Sequence, residues 1–126
     1  MKKILTTGGK GMVGSAINSD VKLGREYNLI NPEETLKAFT DHKPTHVIHC
    51  AGKVGGVGGN MNYKGEYFYD NLMINTNVIE SARKTGVKHL VAFLSTCVFP
   101  DNVEYPLTSN QVHLGEPHSS NYPYAY

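Results

Sequence analysis

The stretch TTGGKGMVG, Thr6 to Gly14, constrains this chain more than any other. It follows KKILTT, Lys2 to Thr7, a short apolar run that halts at Gly8 and reads as a buried strand. It runs on into GMVGSAIN, which reads as a short helix. Gly9, Gly11 and Gly14 satisfy G-x-G-x-x-G, and Gly8, Gly11 and Gly14 are equally spaced. The pattern has a physical basis. One glycine makes a turn of positive φ, one lets a pyrophosphate reach the backbone, and one lets helix and strand pack closely. The first helical turn then offers N–H groups and a partial positive charge to phosphates. A dinucleotide-binding turn is expected, and a glycine-rich turn that binds nothing is the alternative.

The rest of the chain keeps the same rhythm. VKL, Val21 to Leu23, is a short strand candidate. Pro32 opens PEETLKAFTDH with acidic residues in its first turn, which predicts a helix. THVIHC, Thr45 to Cys50, reads as a buried strand, and AGKVGGVGGN after it as a glycine-rich loop. Tyr63 to Thr85 predicts a long helix whose one face carries Phe68, Leu72, Asn75, Ile79 and Ala82, with Gly86 as its C-cap. KHLVAFLST, Lys88 to Thr96, predicts another buried strand, and the sequence beyond Pro100 reads as loop. Alternating strands and helices, with apolar rather than alternating strands, imply an α/β fold. The expectation is a doubly wound parallel sheet of about four strands with flanking helices on both faces, binding ligands beyond its carboxyl ends. The first helix has little room, since Gly8 to Asp20 is near the floor of about 12 residues for a crossover.

Composition narrows the partners. At 126 residues the chain is the size of one domain, and its net charge is +1 with lysine and arginine scattered. No basic stripe is present to hold nucleic acid or an acidic membrane. The N-terminal apolar run is too short for a signal peptide, and no stretch reaches the ~20 apolar residues of a membrane span. Two cysteines, Cys50 and Cys97, without a C-x-x-C suit a reducing compartment, so a soluble cytoplasmic chain is expected. His46 and His49, three apart on a strand, point to opposite faces and make no metal pair; His113 and His118 fall in a loop. No metal site is expected.

Two further places carry chemistry. After the second strand candidate come Gly24, Arg25 and Glu26. An acid at that strand end favours NAD, whereas Arg25 is placed to meet a 2′-phosphate and favours NADP. In LSTCVFP, Leu94 to Pro100, Ser95 and Cys97 follow the last strand. On an extended chain they would face the same side and could share one substrate. The terminal NYPYAY holds Tyr124, for which a Tyr-x-x-x-Lys motif would place lysine two residues past Tyr126. The register from Tyr122 fails because Tyr126 stands where lysine is required.

TTGGKGMVGSAI, PTHVIHCAGKVGG, NLMINTNVIESA, LSTCVFP and NYPYAY occur in this order along nearly the whole chain. In this set the chain resembles the N-terminal part of the GDP-L-fucose synthase family, a branch of the extended short-chain dehydrogenases/reductases. LSTCVFP and AGKVGG point to this branch. The resemblance implies that residues 1–126 are the N-terminal part of an NADP-binding Rossmann domain. The later strands, the substrate lobe, the lysine after Tyr124 and the histidine partner of Cys97 would then be absent. It implies an NADPH-dependent epimerase–reductase converting GDP-4-keto-6-deoxy-D-mannose to GDP-L-fucose, homodimeric at full length and inactive as 126 residues alone.

The same resemblance implies roles by position. Gly8, Gly9, Lys10, Gly11, Met12, Val13 and Gly14 would bind NADP(H), together with Arg25, Leu94 and Thr96. Ser95 would hydrogen-bond the sugar C4 oxygen, Tyr124 would protonate it, and Cys97 would be the acid/base at C3 and C5. Asn77 would be a structural hydrogen-bonder. A tyrosine of ordinary pKa near ~10 needs a neighbouring cation to act at neutral pH. Two alternatives stay open: a non-catalytic nucleotide-binding remnant, and another extended nucleotide-sugar reductase or epimerase. In a sheet that ends at the fourth strand, that strand would be an exposed apolar edge.

Overall fold

Four parallel strands carry the fold, in a computed structural model that describes residues 1–125; the side chains of Pro123 and Tyr124 lie outside the description. β1 (Ile4–Thr7), β2 (Val21–Lys22), β3 (His46–His49) and β4 (His89–Ala92) stand in the order β2-β1-β3-β4. Each neighbouring pair is parallel, with Leu5 opposite Val21 and Val47, and Val47 opposite Leu90. The chain leaves β1 toward β2 and then returns to β3 on β1's other side. The sheet therefore has a topological switch between β1 and β3, where ligands bind in such folds.

The helices follow their local signals. α1 (Met12–Ala16) is a five-residue helix, as the short crossover required. α2 (Pro32–His42) starts at Asn31, whose side-chain oxygen accepts from Glu33 and Glu34 N–H, and it has proline at its first position. α4 (Lys64–Lys84) stops before Gly86, which takes φ +71°. One helix was not foreseen. α3 (Gly56–Asn62) forms within the stretch read as a loop. Its glycines disfavour helix by roughly 1 kcal/mol each, but Gly59 and the N-cap Gly55 make room for Tyr67. A Cβ at Gly55 would lie 2.2 Å from the Tyr67 hydroxyl, and one at Gly59 3.0 Å. Beyond β4 the loop contains short 3₁₀ turns before α5 (Tyr122–Ala125).

The described chain divides into two compact units, residues 1–52 with 71–93 and residues 53–70 with 94–126. In the first, Leu5 and Val47 of the sheet pack with Ala38 and Phe39 of α2 and Ile74, Val78 and Ala82 of α4. Right-handed crossovers set α2 and α4 on one face of the sheet and α1 on the other.

Two expectations are corrected here. The buried side of α4 carries Ile74, Asn77, Val78, Ser81 and Ala82. Of the face read from the sequence only Ala82 is buried, and Phe68, Leu72 and Ile79 are exposed. Polar Asn77 belongs to the core face because it finds partners there: both of its side-chain N–H bonds go to backbone carbonyls, Leu29 at 3.0 Å and Ile30 at 2.9 Å. Second, helices flank both faces of the sheet as expected, but the strands are not uniformly buried. β3 alternates, with Val47 and His49 buried and His46 and Ile48 half-buried. β4 is shorter than expected and largely exposed, with Val91, Phe93 and Leu94 open to solvent. In the described residues it has one strand neighbour, the apolar edge expected of a sheet that ends there. No helix among the described residues is long and apolar enough to cross a membrane.

Candidate functional site

The turn after β1 uses its glycines for distinct reasons. Gly8 takes φ +64°, and a Cβ there would meet the backbone of Cys50 and Ala51 at 2.8–2.9 Å. The turn is thus pressed against the end of β3 at the switch point. A Cβ at Gly14 would lie 2.3 Å from the Gly8 carbonyl oxygen, so only glycine lets α1 approach the turn. A Cβ at Gly9 would strike Lys22. Gly11 differs: it is exposed, and the only close atom is the Gly8 oxygen at 3.2 Å. Its open side is a cradle that a pyrophosphate can enter. Gly11 is also the N-cap of α1 and supplies no capping side chain. The N–H groups of the first turn have no partners within the helix and are available to an anion. Met12 is 90% exposed and Val13 is exposed beside it, so apolar groups stand unburied at the rim of the cradle.

The turn is tied to the end of β2. Gly9 N–H donates to the Leu23 carbonyl at 2.7 Å. Lys10 is exposed and pairs with Glu26, and Arg25 is exposed in the same loop. The turn, Lys10 and Arg25 therefore belong to one corner of the first unit.

Under the turn lies a polar chain, buried at Thr7 and His49, that the sequence did not reveal. His49 Nε2 is 2.9 Å from Asn75 Oδ1, and His49 Nδ1 is 2.6 Å from Thr7 Oγ1. Ala51 N–H donates to the same Thr7 oxygen at 3.4 Å. Asn75 Oδ1 can only accept, so Nε2 carries the proton and the neutral ring leaves Nδ1 bare. The Thr7 hydroxyl donates to a bare Nδ1, and the Nε2 proton goes to Asn75. Burial pushes the His49 pKa down, and the Asn75 bond offsets part of this. His46 is also lowered, chiefly by desolvation and then by Lys2. Both histidines have folded pKa values below the unfolded value near ~6.5. Stability is then complete above that pH and falls as pH drops through it. Urea unfolding at pH 7.5 and 5.5 is expected to give a lower midpoint at 5.5. His49→Gln, which can keep one donor and one acceptor, should shrink that difference. An unchanged midpoint in the unsubstituted protein would refute the neutral state of these rings in the fold. Among the described residues no group of three or more His, Cys, Asp or Glu could hold a metal ion.

In the second unit the chain after β4 does not stay extended. Thr96–Val98 is a 3₁₀ turn, and Ser95 caps it by accepting the Cys97 N–H at 3.1 Å. The same-side geometry expected of an extended strand is replaced by a tighter pairing through the backbone. With a lone pair of Oγ engaged, the Ser95 hydroxyl proton is free to donate outward. Cys97 is a free, half-buried thiol. Antiparallel pairing of Pro100 with Pro117 closes the following loop and brings His118 back to this turn. Together they bound a cleft of about 260 Å³ lined by Thr96, Cys97, Phe99, Tyr105, His118 and Asn121. Leu94 is exposed and lies outside this lining. Tyr124 belongs to α5, but its side chain, like Tyr126, is outside the described part. Lys53 bridges Glu66 and Asp70, a cluster with no sequence signal. The hydrogen bonds to Asp70 and then Glu66 hold its ammonium above the usual lysine range.

Comparison with known proteins agrees with this geometry. A GDP-L-fucose synthase described as probable, from Drosophila melanogaster, is 42% identical over 138 aligned residues, covering all of this chain and 43% of the relative. The crystal structure of a GDP-L-fucose synthetase from Naegleria fowleri bound to NADP superposes with a TM-score of 0.88 at 40% identity, over 99% of this chain and 41% of that one. MlghC, a GDP-mannoheptose C4 reductase from Campylobacter jejuni with NADP bound, gives 0.86 at 29% identity, over 98% and 40%. The chain spans less than half the length of these relatives. The pattern described as the NAD dependent epimerase/dehydratase family matches residues 4–126. With the glycine turn at the switch of a parallel sheet and a match along almost its full length, this chain belongs to the NAD dependent epimerase/dehydratase family.

Proposed function

We propose that residues 1–126 are the N-terminal, cofactor-binding part of an NADPH-dependent epimerase–reductase that converts GDP-4-keto-6-deoxymannose to GDP-L-fucose. The whole protein would be a cytoplasmic homodimer. One observation carries the reading: the open cradle at Gly11 and the Ser95–Cys97 turn occur in a chain 40% identical to a fucose synthetase with NADP bound. The cradle fits a dinucleotide. Gly8, Gly9, Gly11 and Gly14 with Met12 and Val13 would hold the pyrophosphate, and Lys10 and Arg25 the 2′-phosphate. Leu94 and Thr96 would contact the nicotinamide end. Bound NADPH would supply the hydride that reduces C4.

The chain's own groups then have separable tasks. Ser95, its Oγ already accepting from Cys97 N–H, would donate its proton to the C4 oxygen. Protons on the carbons beside that ketone are acidic; Cys97 would act as the base that removes one, and its partner acid, in the family pattern a histidine further along the chain, would protonate the opposite face. Tyr124 would give its proton to the C4 oxygen during reduction. In the family pattern a lysine four residues further on stabilises its phenolate.

The whole protein, given GDP-4-keto-6-deoxymannose and NADPH, should oxidise the cofactor and form GDP-L-fucose. Cys97→Ser should stop deuterium uptake from solvent at C3 and C5, and Tyr124→Phe should slow C4 reduction by roughly 10²–10⁴. No cofactor oxidation by the whole protein would sink the reading. The likeness to a heptose C4 reductase favours a second candidate: a GDP-4-ketoheptose tried in parallel separates the two, because the true substrate is turned over at lower concentration.

A further inference from the structure

One charged group at the nucleotide corner is left unused by this reading. Glu26 Oε2 lies 3.0 Å from Lys10 Nζ. Its other oxygen accepts the Gly24 N–H at 2.8 Å. Gly24 is what allows this arrangement. A Cβ there would lie 2.5 Å from Lys10 Cδ and 2.8 Å from Glu26 Oε2. The lysine stem and the carboxylate both pass over the bare backbone at the end of β2. The Gly24 N–H bond is the first cause that lowers the Glu26 pKa, to about 2, with Lys10 helping. Glu26 is therefore fully charged at neutral pH.

At the carboxyl end of β2 an acid hydrogen-bonds the ribose 2′-hydroxyl of NAD, whereas a cation accommodates the 2′-phosphate of NADP. Here both chemistries stand at the same place and neutralise each other. We propose that Glu26 sets this protein's choice between NADPH and NADH, by competing with the cofactor's 2′-phosphate for Lys10. The proposal rests on the reading of Gly8 to Gly14 as a dinucleotide site.

The two cofactors meet different costs. A 2′-phosphate carries close to two negative charges. It must draw Lys10 away from Glu26 and leave an unpaired carboxylate beside itself. A 2′-hydroxyl donates to Glu26 while Lys10 stays in its ion pair. The acid therefore penalises NADPH and supports NADH, so the unsubstituted protein should prefer NADPH by no more than about tenfold, as expected of one opposed surface charge pair. Glu26→Gln keeps the shape and the acceptor for Gly24 N–H but removes the charge. Lys10→Met removes the cation.

The test is titration of the whole protein with NADPH and with NADH, each variant first checked for native circular dichroism. In Glu26→Gln the ratio of the NADH Kd to the NADPH Kd should rise about tenfold, by tighter NADPH and weaker NADH, and less so at high salt. In Lys10→Met the ratio should fall about tenfold, through NADPH alone. A Glu26→Gln ratio within about twofold of the unsubstituted value, with both cofactors bound, would overturn the proposal. So would equal weakening of both, which would make Glu26 a brace for the loop. If the unsubstituted protein binds neither cofactor, the glycine-turn reading itself falls and this proposal with it, an outcome distinct from the other two.

Discussion

Gly14→Ala is expected to destabilise the protein by about 3 kcal/mol, the upper part of the range for overpacking a tight site. It should also weaken NADPH binding by more than tenfold, through loss of geometry and not of a contact. The added methyl would sit 2.3 Å from the Gly8 oxygen and 2.8 Å from the Gly8 carbon and the Gly9 Cα. All three are backbone atoms, so no side chain can swing aside. Relief requires α1 to move off the turn, and α1 carries the N–H groups that face the cradle. Gly11→Ala is the matched control. Its methyl has one near neighbour at 3.2 Å and otherwise enters open space. That variant should unfold within about 1 kcal/mol of the parent, since φ at Gly11 is −81° and suits alanine. Yet it should bind NADPH poorly, because the methyl fills the cradle. Thermal melts with and without NADPH separate the two. Equal behaviour of the two variants would refute the distinction between a packing glycine and a ligand-facing one.

Asn77→Asp should cost about 3 kcal/mol at pH 7 although it changes no shape. The amide donates to Leu29 and Ile30 carbonyl oxygens, and a carboxylate there can only accept. Leu29 keeps a second donor, the Thr35 hydroxyl at 3.1 Å, so the loss falls mainly on Ile30 and on the buried charge itself. Protonation of the new acid restores one donor. The deficit relative to the parent should therefore shrink as pH falls toward 5, measured by urea unfolding of both proteins at each pH. A deficit that grows on acidification would show that the amide does not pin this loop.

The face of α4 explains why part of the fold was legible and part was not. Apolar spacing selected Phe68, Leu72 and Ile79, which are exposed. The buried stripe runs through Asn77 and Ser81 with Ile74, Val78 and Ala82. Hydrophobicity counts polar residues against burial, but a long-range acceptor such as the Leu29 carbonyl reverses that and has no signature in sequence. α3 is the converse case. Its glycines argue against helix, and the Tyr67 phenol that occupies the space beside Gly55 and Gly59 comes from the next element. Local signals survived where the chain supplies its own partners: Asn31 before Pro32, Gly86 after Lys84, and the turn from Gly8 to Gly14. Ser95 and Cys97 stand out in the sequence, but their geometry does not, because the serine caps a turn instead of continuing the strand. The His49 chain was missed for the same reason as Asn77: its partners, Thr7 and Asn75, are far away in sequence.

The strand order also fixes how the sheet comes apart. Among the described residues β2 and β4 each hold to one neighbour, and the side chains of β4 are mostly in water, so lifting it breaks a single ladder and exposes little new apolar surface. Lifting β1 breaks two ladders, uncovers Leu5, and tears the turn away from Ala51. Among the described strands, transient opening therefore begins at the two edges, β2 and β4, and reaches the β1–β3 seam last. The nucleotide turn is anchored in that seam, so it keeps its shape through the frequent small fluctuations and loses it only when the whole sheet goes.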